Sequence, residues 1–201
     1  MSQTHSVKNL LGDEALIGSH VTVQGWLRSK RDSKAGISFL AVNDGSHFDS
    51  LQCVAPKELE NYEDEVLKLS TGCAVIVSGE LVPSQGGGKS VEIQASHVEL
   101  IGGIDDTESY PIAKKRHTFE YLRTQAHLRT RTNTFGAVTR VRHTLANAIQ
   151  DFFHSEDFYW VNTPIITASD CEGAGELFRV STLDLTKLPR DDKGQVDTSQ
   201  D

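Results

Sequence analysis

The sequence predicts an α+β protein of more than one domain, in which an all-β N-terminal half precedes a mixed helix and strand region. Five segments within residues 21–102 alternate apolar and polar side chains, as strands with one buried face do. The sequence becomes polar and turn-rich after residue 104. Residues 138–152 then carry apolar side chains three and four positions apart, which is typical of an amphipathic helix.

The order of the N-terminal elements narrows the fold class. The five strand segments are "VTVQGWL", "ISFLAVND", "FDSLQCVAP", "CAVIVSGELV" and "VEIQASHVELIG". A basic loop, "RSKRDSKAG", joins the first two, and the spacing of apolar residues in "KELENYEDEVLKLS" predicts a helix after the third. In the last strand we expect Val91, Ile93, Ala95 and His97 on one face. Three strands, a helix and two strands are the order of the OB-fold, a five-stranded barrel.

An OB barrel suggests binding of single-stranded nucleic acid on its second and third strands. The sequence supplies aromatic side chains in Phe39 and Phe48, and an amide and a carboxylate for base edges in Gln52 and Glu92. The cations of the first loop are Arg28, Lys30, Arg31 and Lys34. Each residue also has an ordinary alternative. A strand aromatic is usually core, and a basic loop or an acidic strand face is usually only solvated.

The second half contains one long helix and one further strand. Val141 and Leu145 lie on the apolar side of the 138–152 helix, which could pack within the chain or against a partner. "YWVNTPII" predicts a strand that ends in a turn at Pro164. The tail after residue 185 is polar and offers no core element.

Composition excludes several classes of function. The chain has a net charge of −8, which argues against non-specific binding to DNA, although residues 105–151 hold 8 Lys or Arg against 5 Asp or Glu. No apolar run approaches the ~20 residues of a membrane span, and the N-terminus lacks secretory signal character. The three cysteines form no CxxC pair, so we expect no metal site and a reduced, cytoplasmic protein.

Several separated motifs resemble one family. "VTVQGWLRSKRDSKAGISFLAVNDGS" is similar to the anticodon-binding domain of the aspartyl, asparaginyl and lysyl class II aminoacyl-tRNA synthetases. "HLRTRTN" resembles the start of their catalytic domain, and "RVRHTLANAIQDFFHSEDFYWVNTPIITASDCEGAGELFRVSTLDL" resembles motif 1 and the substrate-side loop. The segment "EGAGELFRVSTLDL" is similar in sequence to the corresponding segment of the bacterial asparaginyl enzymes.

The resemblance implies domain limits and roles. Residues 1–104 would be the OB-fold anticodon-binding domain, 105–125 a hinge, and 126–201 the N-terminal part of an antiparallel class II catalytic domain. The resemblance places Phe39 under an anticodon base, Gln52 and Glu92 at base edges, and Arg28 on the central uridine. Motif 1, with Val141, Leu145 and Pro164, would form a homodimer interface. Asp157 stands where the family usually has glycine, so we expect mild backbone strain there.

The resemblance also implies a role for "CEGAGE", an acidic stretch with two glycines. Glu172 would pair with the α-ammonium group of the amino acid, as a charge-assisted hydrogen-bond acceptor. Gly173 and Gly175 would give the loop the freedom to close as a lid. Without the resemblance, the stretch would be interpreted as a surface turn.

The implied activity is that of an asparagine–tRNA ligase, which uses asparagine, ATP and Mg²⁺ to charge tRNA through an aminoacyl-adenylate. We assign no catalytic residue and no metal ligand in this chain, because the family's motifs 2 and 3 are not present in it. We therefore expect an N-terminal fragment that is inactive alone, which asparagine-dependent pyrophosphate exchange by the chain would contradict. The alternatives are an aspartyl-type ligase and a stand-alone OB-fold tRNA-binding module.

Overall fold

The structure is a computed structural model, and it describes residues 3–84, 90–106, 110–112, 115–167, 180, 184 and 186–197. The strands are β1 (Gln3–Thr4), β2 (His20–Ser33), β3 (Ile37–Asn43), β4 (Leu51–Pro56), β5 (Ala74–Pro83) and β6 (Val91–Gly102). The α-helices are α1 (Val7–Gly12), α2 (Phe119–Thr124) and α3 (Asn133–Ser155). Short 3₁₀ turns lie at Glu14–Leu16, Val66–Lys68 and Arg129–Arg131. The chain divides into two compact units, residues 1–149 and 150–201.

Five strands of the first unit close into a barrel. Strand β2 pairs antiparallel with both β3 and β5, β3 pairs with β4, β4 pairs parallel with β6, and β6 returns to β5. The short β1 adds to β2 from outside. This closed five-stranded sheet confirms the predicted OB-fold. Its interior is filled by fully buried aliphatic side chains, among them Val23, Leu40, Val77 and Ile93.

Helix α1 closes one part of the barrel core. Val7 and Leu10 are buried in the same hydrophobic cluster as the strand residues. The backbone N–H of Val7 donates to Asp44 Oδ2 at 3.0 Å, just after β3. Burial raises the pKa of the Asp44 carboxyl, but hydrogen bonds from Ser46 and from the Val7 N–H outweigh it, so that the pKa lies below its ordinary value. The ionised carboxylate therefore fastens α1 to the barrel.

Two predictions about the segments between strands are wrong. Residues 28–33 are not a loop, because β2 continues to Ser33 and pairs with β3 through a bulge between Leu27 and Ser29. Residues 57–70 are not an α-helix but a series of turns and one 3₁₀ turn. The Asn61 side chain donates to the Val98 carbonyl at 2.7 Å and to Glu65 at 2.6 Å. These hydrogen bonds fix the segment to β6 in place of a helical ladder.

The predicted face of β6 is correct only for its first half. Val91, Ile93 and Ala95 are buried, but His97 is exposed and Val98 is buried instead. The register shifts between the Ser78–His97 and Gly79–Ala95 pairs, which leaves one extra residue on β6. Such a bulge reverses which side chains point inward beyond it.

The second unit contains the end of α3 and the segment after it. The predicted helix is confirmed, and it is longer than 138–152. Its end is a Schellman motif: the Phe158 N–H donates to the Phe153 carbonyl at 3.0 Å, and the Asp157 N–H donates to His154 at 3.1 Å. Asp157 has a φ of 66°, so this position does have the positive φ that favours glycine.

The predicted strand in "YWVNTPII" is wrong. Residues 158–164 have no regular secondary structure, and none of the described strands pairs with them. A strand needs a neighbour for its backbone N–H and C=O groups, and Pro164 also lacks an N–H donor. The side chains of Tyr159, Trp160 and Ile165 are exposed.

Candidate nucleic-acid interface

Three of the predicted site residues meet on the outside of the barrel. Side chains alternate along β3, so that Ser38, Leu40 and Val42 point into the core while Phe39 and Ala41 point outward. The register of β3, β4 and β6 then places Gln52 beside Ala41 and opposite Glu92. We call the outward side chains of Phe39, Ala41, Gln52, Val54, Glu92 and Gln94 the outer barrel face.

A hydrogen-bonded cluster holds the polar part of this face. Glu92 is only 4% exposed, and its Oε2 accepts from Gln52 Nε2 at 2.8 Å and from Ser84 Oγ at 2.9 Å. Its Oε1 accepts from Gln94 Nε2 at 3.0 Å. The carboxylate therefore receives three donors, which compensates its burial. Because the Gln52 and Gln94 amides each direct an N–H to Glu92, their orientations are fixed.

The aromatic part of the face carries one of the predicted cations, Arg31, whose position beside Phe39 was not predicted. The Arg31 guanidinium lies over the Phe39 ring, with Cζ 4.6 Å from the ring centroid, and the two residues are directly paired across β2 and β3. This is cation–π geometry. Hairpin symmetry about the turn at residues 34–36 could have revealed it, because Arg31 and Phe39 each lie four residues from its central residue, Ala35.

Arg28 does not join this group. It is the bulge residue of β2, and the titratable groups that act on it are Tyr110 and Arg131, on the segment that follows the barrel. Burial lowers the pKa of the Arg28 guanidinium, Tyr110 partly offsets this effect, and the like charge of Arg131 adds to it. The structure thus places Arg31 next to the predicted base platform, and Arg28 beside the hinge.

The remaining predicted site residues lie in the second half of the chain. Val141 and Leu145 are 57% and 58% exposed on α3, so they do not pack within the described chain. Pro164 lies in the irregular segment after α3 and is exposed. The residues predicted for the lid, Glu172, Gly173 and Gly175, lie outside the described residues.

The described residues contain neither a metal-binding cluster nor a helix suited to a membrane. Across residues 3–84, 90–106 and the other described stretches, no group of three or more His, Cys, Asp or Glu side chains could hold a metal ion. Nor does any helix in the described part of the protein have the length and hydropathy to cross a bilayer.

Comparison with known proteins gives matches to two family models. Residues 21–101 match the family model described as OB-fold nucleic acid binding domain, and residues 118–189 match that of class II tRNA synthetases (D, K and N). The chain is thus similar to the class II tRNA synthetases of this family.

Within that family, the chain is similar to asparagine–tRNA ligases. It is 62% identical to the ligase of Hahella chejuensis over 98% of this chain and 42% of the relative. It is 60% identical to that of Pasteurella multocida over 100% of this chain and 43% of the relative. The chain thus spans about two-fifths of the length of the curated relatives that it matches.

Solved structures support the same fold. Asparaginyl-tRNA synthetase from Pyrococcus horikoshii, complexed with asparaginyl-adenylate, aligns with a TM-score of 0.75 at 23% identity, over 90% of this chain and 41% of that one. The Entamoeba histolytica enzyme aligns with a TM-score of 0.69 at 21% identity, over 84% of this chain and 39% of that one. At these identities the similarity establishes the fold.

Proposed function

We propose that this chain forms the anticodon-reading part and the beginning of the catalytic domain of an asparagine–tRNA ligase. Such an enzyme joins asparagine to its tRNA in the cytoplasm during translation, through an ATP-derived adenylate. The observation that carries this proposal is the convergence of Phe39, Gln52 and Glu92 on the outer barrel face. The 58–62% identity to asparagine–tRNA ligases favours this function over that of an aspartyl-type ligase.

The proposed recognition follows from the chemistry of the face. An unstacked base offers a π-face to the Phe39 ring and donor or acceptor edges to the amides. Because each amide N–H of Gln52 and Gln94 that faces Glu92 is already used, both residues can present their carbonyl oxygens to donors on a base. Arg31, which lies over the Phe39 ring, adds positive charge next to this stacking platform. That charge would attract the RNA backbone.

The remaining predicted roles are proposals of the same kind. Glu172 would hold the α-ammonium group of asparagine, and Gly173 and Gly175 would let that loop close. The apolar face of α3 that contains Val141 and Leu145, together with Pro164, would form the interface of a homodimer. Chemistry in this class needs no protein nucleophile, because the substrate carboxylate attacks the ATP α-phosphate directly, and so the protein contributes positioning and charge.

Binding of short RNAs tests the proposal. We expect the chain to bind an anticodon stem-loop with the asparagine anticodon more tightly than the same hairpin with its anticodon bases replaced. Phe39→Ala should weaken binding by about 1–3 kcal/mol, the usual loss of one base–aromatic stack. Phe39→Trp keeps a ring on the outer barrel face and should retain binding. Equal affinity for both hairpins, measured by fluorescence anisotropy, would contradict the proposal.

A further inference from the structure

A second concave surface lies beside the outer barrel face, within the first unit. It is a groove of about 500 Å³ between the turn that follows β3 and the beginning of α3. Barrel residues Trp26, Asn43 and Phe48 form one wall. Arg131 and Arg140 belong to the other wall. We call this surface the basic groove.

The charge of the groove is of one sign. Three arginines, Arg28, Arg131 and Arg140, and two histidines, His47 and His143, line it. No Asp or Glu is among the described residues of the lining. In a chain with a net charge of −8, this is a strong local departure. Arg131 and Arg140 also belong to residues 105–151, the segment in which Lys and Arg outnumber Asp and Glu.

The arginines are held in place by neutral groups. Arg140 donates through Nη2 to the Gly45 carbonyl at 2.9 Å, and Arg131 donates through Nη1 to the Tyr110 hydroxyl at 3.2 Å. Arg131 also lies over the Trp26 ring, with Cζ 4.9 Å from the centroid. Among the described residues, neither arginine forms an ion pair. Their positions are thus fixed while their charges stay uncompensated.

Gly72 leaves the space that the Tyr110 ring occupies beside Arg131. Gly72 has a φ of 99°, and a Cβ added there would lie 2.7 Å from Cζ of the Tyr110 ring. The absence of a side chain at Gly72 therefore lets Tyr110 sit against the barrel and orient Arg131. Burial lowers the pKa of the nearby Arg28 most, and the like charge of Arg131 lowers it further. Cations gathered in this way repel one another, and a bound anion would relieve the repulsion.

The groove also continues the outer barrel face. Phe39 and Asn43 both point outward on β3, and four residues of strand span about 13 Å. Trp26 and Phe48 are 43% and 44% exposed in the groove. Arg131 lies over the Trp26 ring and Arg140 over the Phe48 ring, with Cζ 4.9 Å and 6.0 Å from the centroids. Exposed aromatic rings beside positive groups are typical of surfaces that follow a nucleic-acid backbone.

We propose that the basic groove binds backbone phosphates of tRNA next to the anticodon loop, as a second contact site independent of base identity. This inference rests on the proposed function, because it places the anticodon on the outer barrel face. Phosphate contacts position an RNA without reading its sequence. The groove therefore contributes affinity and register, while the outer barrel face contributes discrimination.

The test is the salt dependence of binding by the full chain to the asparagine anticodon stem-loop. Arg131→Gln and Arg140→Gln should each weaken binding. Each should also flatten the slope of log K against log salt by about 0.7–0.9, the value for one lost phosphate contact. The matched control is Arg142→Gln, which removes the same charge from an exposed position on the same helix, outside the groove. It should leave the slope unchanged.

Two further variants keep the outcome decisive. Arg140→Lys retains the charge and should retain most of the slope, whereas a purely structural role for the Gly45 hydrogen bond would make it resemble Arg140→Gln. Preference for the asparagine anticodon should be the same in all groove variants. Slopes for Arg131→Gln and Arg140→Gln equal to that of Arg142→Gln would overturn the inference. If Phe39→Ala still weakened binding in that case, the proposed function would stand without the groove.

Discussion

Apolar side chains have opposite environments in the barrel and on helix α3. Leu40, Val77 and Ile93 are fully buried inside the barrel, whereas Leu145, Ile149 and Phe152 are each more than half exposed on α3. The apolar side chains of the barrel are thus covered by its own strands, by helix α1 and by the segment between β4 and β5. The stripe on α3 has the same chemical character but is not covered by the described chain, which is what an interface helix would show before its partner binds.

Truncating one leucine in each region sharpens the contrast, and we expect here the largest effect. Leu40→Ala should lower the free energy of unfolding by about 2–5 kcal/mol, because it leaves a cavity in a closed core. Leu145→Ala at low protein concentration should change it by less than about 0.5 kcal/mol, because the side chain is already in water. Denaturant titration with a barrel-specific probe measures both, and equal losses would show that α3 packs as a core element.

Association is the next expected effect. Leu145→Glu places a charge at the centre of the α3 stripe, and it should weaken a homodimer by about 2 kcal/mol or more, if that residue is an interface anchor. Sedimentation of the chain across a concentration series measures this. Arg142→Glu, a charge change at an exposed position of the same helix, is the control. A concentration-independent monomer in both the wild-type chain and the variant would contradict the homodimer proposal for this chain.

The contrast also explains which features could be predicted from sequence. The barrel strands were predicted because a half-buried strand imposes strict alternation. The end of β2 was missed because residues 28–33 have the polar, mostly charged sequence "RSKRDS", which is also typical of a loop. His97 was misplaced because the β6 bulge depends on cross-strand pairing with Ser78, not on local sequence.

The candidate site was predicted in part. Phe39, Gln52 and Glu92 do meet, but the burial of Glu92 under three donors depends on residues 8 and 40 positions away. Arg31 was predicted as a cation of a loop, but its place over Phe39 was not, because that place follows from the β2–β3 register. Long-range pairing of this kind does not appear in a periodicity pattern.

A third prediction concerns the buried carboxylate of the barrel. In the wild type, Glu92 Oε2 accepts from Gln52 and Ser84, and Oε1 accepts from Gln94. Glu92→Gln replaces one of these two oxygens by an amide nitrogen, which cannot accept. We expect a loss of about 1–3 kcal/mol in the free energy of unfolding, because one donor loses its acceptor. Thermal unfolding measures this loss. The control is Glu99→Gln, an exposed glutamate on the same strand, which should be nearly neutral.

Acid should loosen α1 before the barrel unfolds. Because the pKa of Asp44 is lowered in the folded state, its contribution is present above the ordinary Asp pKa of about 4 and is lost as the pH falls through the lowered value. Asp44→Asn should cost about 1 kcal/mol at neutral pH, similar to the loss of a helix cap, and progressively less in acid. A pH-independent difference between wild type and variant would show that the charge of Asp44 has no part in holding α1.

The smallest expected effect is a stabilisation at the end of α3. All described barrel residues with positive φ are glycines, whereas the second unit has Asp157 at 66°. Asp157→Gly should stabilise the Schellman motif by about 0.5–1 kcal/mol, the size of typical glycine backbone effects. Helix-specific amide exchange at Phe158, which donates to Phe153, measures this. Faster exchange in the variant would mean that Asp157 stabilises the turn through its side chain.

Anticodon recognition by the outer barrel face requires that the chain distinguish one anticodon from another. The decisive measurement is the ratio of affinities of the chain for the asparagine anticodon stem-loop and for the same hairpin with its central anticodon base replaced. We expect a ratio of about 10 or more, equivalent to about 1.4 kcal/mol, and its loss in Phe39→Ala and Gln52→Ala. A ratio near one in the folded wild-type chain would contradict the assignment of this face to anticodon recognition.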